Sequence, residues 1–152
     1  MLNIFVYTTP KVPHLSIEKY TTCNSPERLK AFIINDKYVY KTSSKRHFRA
    51  YLKGGLSFVA VEDGEIVGFI FAQMLHNIAN TENLLWIENM GVHPYFRRHL
   101  IAYRMLRECL REGIAMGAEV AHSMIQPDNA PSILLHKKIG FFMDPREVAL
   151  MD

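Results

Sequence analysis

The chain has 152 residues, 49% hydrophobic and 22% charged, which suits one globular domain over residues 1–152 with a core large enough to need no staples. No apolar run approaches the ~20 residues of a membrane span, and two isolated cysteines, Cys23 and Cys109, exclude a disulfide framework or a cysteine zinc site. A net charge of +3 and a pI near 8.9 favour an anionic ligand without demanding nucleic acid.

The opening stretch, Met1 to Lys11, lacks a charged leader and a small-residue cleavage pattern, so it reads as a strand over Asn3 to Thr8, and the protein is expected in the cytoplasm. Residues Thr9 to Asn24 hold Pro10 and Pro13 among polar residues and are expected to be an irregular connection. Ser25-Pro26-Glu27 is a helix start, with a capping serine, a proline in the first turn and an early acid, and Leu29, Phe32 and Ile33 follow on one face. A second helix begins at Ser43 or Ser44, carries Phe48, Tyr51 and Leu52 as its apolar stripe, and closes at Gly54-Gly55. Lys45, Arg46, Arg49 and Lys53 share its adjacent arc, which suits either a solvated face or an anion- or nucleic-acid-binding one.

Ser57 to Val61 and Ile66 to Leu75 flank Asp63-Gly64 and predict a hairpin whose long apolar second arm is central. A polar loop over Asn77 to Asn83 then leads to a strand through Trp86, Ile87, Met90 and Val92, which Pro94 ends. Beyond a turn with Arg97, Arg98 and His99, apolar residues recur at helical spacing: Ile101, Met105, Leu106, Cys109, Leu110 and Ile114. Gly117 breaks that helix, and Glu119 to Gln126 is a further strand, parallel to the Trp86 strand because a helix connects the two. Asp128 or Asn129 caps a last helix that Gly140 closes, and Asp144-Pro145-Arg146 turns the chain into a strand over Glu147 to Met151. The seven histidines show no metal-ligand spacing within one element, so no metal is expected.

A strand, a basic turn and a helix start bring free backbone N–H groups and the positive end of a helix dipole to one point, which suits phosphate. Val92-x-Pro94-x-x-Arg97-Arg98-x-x-Ile101-Ala102 resembles motif A of the GNAT N-acetyltransferase superfamily, V-x-P-x-x-R/Q-x-x-G-x-G/A. About thirty residues on, Asn129-x-x-Ser132-x-x-x-His136-Lys137-Lys138-Ile139-Gly140-Phe141 resembles its motif B, N-x-x-A-x-x-x-Y-x-K-x-G-F. The resemblance runs from about Ser57 to Phe142. It implies an α/β, GNAT-like acyl-CoA N-acyltransferase fold. The expected sheet is mixed and mostly antiparallel, with roughly six to seven strands and about four helices, and its strands splay at the cofactor site.

The resemblance also implies that acetyl-coenzyme A is the cosubstrate, with Met90, Gly91 and Val92 along its pantetheine arm. Arg97, Arg98, His99, Leu100, Ile101 and Ala102 would lie at its pyrophosphate, and Asn129 belongs to the second motif. Two departures stand out: Leu100 replaces the central glycine, so it either points away from the ligand or weakens the grip, and His136 replaces the tyrosine that protonates the leaving thiolate. Glu88, the only acid in an apolar strand, is the candidate general base through a water, because burial raises a carboxylate toward the useful range; the bland alternative is a carboxylate facing solvent or a structural cation. His136 is likewise either the acid or a helix histidine with no role, and His122 is a weaker candidate for the chemistry. The implied activity is acetyl transfer to a primary amine by direct attack in a ternary complex. The acceptor is a small-molecule amine or a protein amino group. The alternatives are a non-catalytic acyl-CoA binder of the same fold and an anion- or nucleic-acid-binding module using helix 43–53. A homodimer, if formed, would use the C-terminal strand edge.

Overall fold

Two tight turns organise the sheet. Asp63 and Gly64 both adopt positive φ, 50° and 76°, the geometry whose twist matches paired strands, and they join β2 (Phe58–Glu62) to β3 (Glu65–Ile78). Ala79 and Asn80, at φ 53° and 58°, make the second turn, so that Ile78 pairs with Thr81 and β4 runs from Thr81 to Val92. The polar loop expected over Asn77 to Asn83 is therefore a two-residue turn. Pairing with the long β3 draws those polar residues into a ladder that their own preferences do not announce.

The computed structural model describes residues 12–21, 51–97, 100–146, 149 and 151. Within them, β1 (Ser16–Lys19), β2, β3 and β4 are antiparallel neighbours, and β5 (Val120–Ser123) lies beside β4 in parallel. Strand β1 corrects the irregular connection expected from Thr9 to Asn24. Its sequence, SIEK, is mostly exposed and carries little strand signal, and it is held by register with Val61 to Phe58 of β2. Helix α1 (Ile101–Ala115) connects β4 to β5, and α2 (Ala130–Ile139) follows. The described residues thus show five strands and two α-helices; the elements expected over Asn3 to Thr8 and from Ser25 onward lie outside them, apart from Tyr51 and Leu52 at the end of a helix. Of the expected final strand, Ala149 and Met151 are described and neither is in regular structure. No helix among the described residues is long and apolar enough to cross a membrane.

Two apolar layers sandwich the sheet. Phe58, Ala60, Ile70, Ala72, Leu85 and Ile87 pack on Ile101, Met105, Leu106 and Cys109 of α1. On the other face Val59, Ile66, Phe69 and Phe71 pack with Tyr20 and Tyr51. The buried stripe of α1 repeats every four residues, Ile101, Met105, Cys109 and Gly113, and so leaves Ile114, which the periodicity put on the same face, 70% exposed. Burial pushes the Cys109 thiol up to about 12, which makes it an inert small core side chain. At the top of β2, Ser57 continues the ladder with its side chain: its hydroxyl donates to the Ala72 carbonyl at 3.1 Å and accepts from the Ala72 N–H at 3.0 Å.

A Cβ on Gly91 would sit 2.7 Å from Cε1 of the fully buried Phe69 ring, and one on Gly113 would sit 2.7 Å from Cδ2 of the equally buried Leu85, a methyl that a small χ2 rotation displaces where a ring edge cannot move. Gly91→Ala should therefore cost about 1–3 kcal/mol in urea denaturation. Gly113→Ala should be near neutral, because ~1 kcal/mol of helix propensity offsets its tighter packing. Leu100, at φ 59°, holds a left-handed conformation at the start of α1 with its side chain 70% exposed, so Leu100→Gly should stabilise the chain by about 1 kcal/mol in the same measurement.

Candidate active site where two parallel strands part

The pairing of β4 with β5 runs from Leu84 opposite Val120 to Ile87 opposite Ser123 and then stops, while β4 continues to Val92 with β3 alone. At the same point β3 partners step from Asn89 for Phe71 to Ile87 for Ala72. Glu88 is the unmatched residue of a β-bulge, and a bulge shifts the alternation by one. Before it, the carbonyls of Asn83 and Ile87 face β5 and accept from Glu119 and Met124. After it, the His93 N–H donates to Val67 of β3, so Gly91 also turns its peptide to β3, and Met90 and Val92 turn theirs into the gap beside β4. Side chains follow the same shift: Leu85 and Ile87 face α1, and so do Met90 and Val92. The expected splay is present, and of the three expected backbone contributors Met90 and Val92 point into it.

The turn below is built from its own residues. Pro94–Phe96 form a single 3-10 turn capped by His93, whose Nδ1 accepts the Tyr95 N–H at 3.2 Å. Arg97 donates through Nε to the Val92 carbonyl at 3.3 Å and leaves the rest of its exposed guanidinium at the turn. Leu100 carries no side-chain cap, and the first turn of α1 holds no acid; the amides at this helix start remain able to receive an anion. Ile101 is buried in the core, so its side chain serves packing, and Ala102 is half-buried beside it. Arg98 and His99 lie outside the described residues.

Glu88 is half-buried, and its carboxylate accepts the indole N–H of Trp86, two residues away on the same face. That face also carries Tyr51, whose ring stacks on Phe71 at 4.7 Å. Burial, and then the Glu88 charge, push the Tyr51 phenol up to about 12, so it stays protonated at neutral pH. Tyr51 reads in the sequence only as part of an apolar helix stripe. Its place beside Glu88 comes from packing.

His136 sits on the opposite face, buried at 1% exposure with the Phe141 ring edge-on to it. Its Nδ1 lies 2.7 Å from the Ser132 carbonyl and its Nε2 lies 2.8 Å from Ser123 Oγ. A carbonyl only accepts, so the ring proton is on Nδ1 and Nε2 accepts from the Ser123 hydroxyl. Burial lowers the His136 pKa, against a smaller upward pull from Ser132, and the neutral ring has no N–H directed at the cleft. Asn129 caps α2 through its side-chain oxygen, which accepts the Ser132 N–H at 3.2 Å. His122 is half-buried on β5 opposite Trp86. Ser123 escapes notice in the sequence because a single hydroxyl in a short strand carries no spacing signal. Of the basic arc on the second helix, Lys45, Arg46 and Arg49 lie outside the described residues, and Lys53 is exposed.

Aminoglycoside N(6')-acetyltransferase type 1 from Salmonella typhimurium is 30% identical over 88 residues, 56% of this chain and 61% of that protein, and the Salmonella enteritidis protein matches equally; the chain thus spans about three fifths of the length of these relatives. Among solved structures, aminoglycoside N-acetyltransferase AAC(6')-Iy in complex with CoA superposes with a TM-score of 0.79 at 22% identity, covering 94% of this chain and 97% of that one. A transcriptional regulator from Bacillus halodurans superposes at 0.77 with 15% identity, covering 91% of this chain and all of that one, so the likeness is one of fold. The profile of the family described as protein of unknown function (DUF1999) matches residues 31–152. The chain belongs to that family, and its fold is that of the GNAT superfamily of N-acetyltransferases.

Proposed function

We propose that this chain is an acetyl-CoA-dependent N-acetyltransferase that acts on the primary amine of a small molecule by direct attack in a ternary complex. The observation that carries this reading is the parting of β4 and β5, with the Met90 and Val92 peptides turned into the gap and an uncapped helix start at its foot. These groups fit a long ligand with a polar amide arm and an anionic end. Backbone peptides bond the arm as an added strand would, while the α1 amides and Arg97 meet phosphate oxygens. Acetyl-CoA supplies the activated thioester.

The remaining steps belong to the chain's own residues. Glu88 takes the amine proton through a water, on the face shared with Trp86 and Tyr51. The Trp86 N–H holds the carboxylate in one orientation for that step. Backbone N–H groups of the Met90 to Val92 segment stabilise the oxyanion. The departing thiolate, with an ordinary thiol pKa of about 8.5, needs little help to leave near neutral pH, which is consistent with a His136 that has no proton to offer. Aminoglycosides are the first acceptor class to test, because the Salmonella relatives and the AAC(6')-Iy structure carry that name. The Glu88 carboxylate suits an acceptor that arrives cationic.

Calorimetric titration should give micromolar binding of acetyl-CoA, weakened at least about tenfold by Arg97→Glu. No binding at millimolar concentration would remove the enzyme reading. In a steady-state assay with a small amine acceptor, Glu88→Gln should lower kcat by about a hundredfold with the KM for acetyl-CoA unchanged. An unchanged kcat would dismiss Glu88 as the base.

A further inference from the structure

The tautomer of His136 points to chemistry of another kind on the α2 face of the cleft. Three groups stand in line: the Ser123 hydroxyl, His136 Nε2 at 2.8 Å from it, and the Ser132 carbonyl 2.7 Å from His136 Nδ1. A hydroxyl donating to an imidazole, with the far side of that imidazole anchored by an acceptor, is the arrangement that activates a nucleophile. The roles are fixed by the anchor. Because the Ser132 oxygen can only accept, His136 can only take a proton from Ser123, and a purely acidic role would need the opposite polarity. The hydroxyl is also in the right place: Ser123 is the last residue of β5 paired with β4, opposite Ile87, and is partly exposed where the strands part. Its base is shielded, with 1% exposure and the Phe141 ring edge-on at 5.0 Å.

We propose that Ser123 is an acyl-accepting nucleophile with His136 as its base, so that without an amine the chain hydrolyses small acyl thioesters and activated esters through an acyl-Ser123. Ser123 Oγ bonds to the acyl carbon while its proton passes to His136 Nε2; the carbon–sulfur bond breaks and the same proton goes to the departing sulfur. Water then attacks the ester, giving one proton to His136 Nε2, which returns it to Ser123 Oγ as the free acid leaves. Glu88 takes no part, since it lies on the other face of the sheet. The proposal rests on the acetyltransferase reading only for the identity of the natural acyl donor.

The test uses the full chain with p-nitrophenyl acetate and, separately, with acetyl-CoA, in both cases without amine. The expected result is a burst of about one equivalent of p-nitrophenolate and, in peptide mass mapping after an acid quench, one acetyl group on Ser123. Ser123→Ala should abolish both and lower steady-state hydrolysis at least about a hundredfold in a chain that circular dichroism still shows folded, with a melting temperature lowered by the loss of the buried bond to His136. Ser123→Cys should carry the acetyl group as a thioester. An acetyl group on any other residue, or none with hydrolysis unchanged in Ser123→Ala, would overturn the proposal and reduce the Ser123–His136 bond to a pin between β5 and α2. Acylation of Ser123 by the ester in a chain that does not bind acetyl-CoA would sustain it while removing the acetyltransferase reading; amine acetylation with no Ser123 adduct would do the reverse.

Discussion

Where β4 loses β5 as a partner, a buried strand is left with one open edge, and most features of the site follow from that edge. Peptide groups in a sheet interior must be bonded; in this open run Arg97 meets the Val92 carbonyl, and the other peptide groups turned to the gap are left to solvent or a ligand. The bulge at Glu88 decides which peptides face the gap. Without it the alternation would present Asn89 and Gly91; with it, Met90 and Val92 are turned outward and Gly91 is turned to β3. The same residue shift brings Met90 and Val92 onto the α1 layer and puts Gly91 under the Phe69 ring, where only a hydrogen atom fits. One extra residue thus sets the backbone edge, the side-chain faces and the position of an acid.

The sheet also separates two kinds of polar chemistry. On one face Glu88 is held by the Trp86 indole and faces the buried phenol of Tyr51; on the other, His136 is held neutral by burial and bonded at both nitrogens. A charged group and a neutral ring are kept apart by the strands they flank, so neither neutralises nor charges the other. The two faces come closest where the pairing of β4 with β5 ends, at Ile87 and Ser123.

Leu100 shows what a motif position asks for. Its left-handed backbone is the conformation that glycine adopts at least cost, so the family preference for glycine at this point is conformational as well as a matter of close approach to a ligand. The leucine adopts the same conformation, turns its side chain largely to solvent, and gives the first amides of α1 no side-chain cap of its own. The substitution thus costs stability at this site rather than the shape of the turn.

Features that depend on short-range periodicity and turn chemistry were legible in the amino-acid sequence: the Asp63-Gly64 hairpin, the Pro94 stop, the amphipathic α1, the parallel return to β5 and a cap at Asp128 or Asn129, of which the structure uses Asn129. So were the two motifs that place a basic turn and a second helix beside one strand, because spacing along a chain survives folding unchanged. Only the tertiary structure decided the rest. Strand β1 and the turn at Ala79-Asn80 exist through pairing with longer neighbours. Gly113 rather than Ile114 meets the core because the helix must sit on Leu85. Ser123, Ser132 and His136 come together through the hydrogen bond that ties α2 to the end of β5, and Tyr51 comes within the field of Glu88 through its stacking on Phe71. Direction and proton placement in the site depend on these contacts between residues distant in the chain, and no local pattern encodes them.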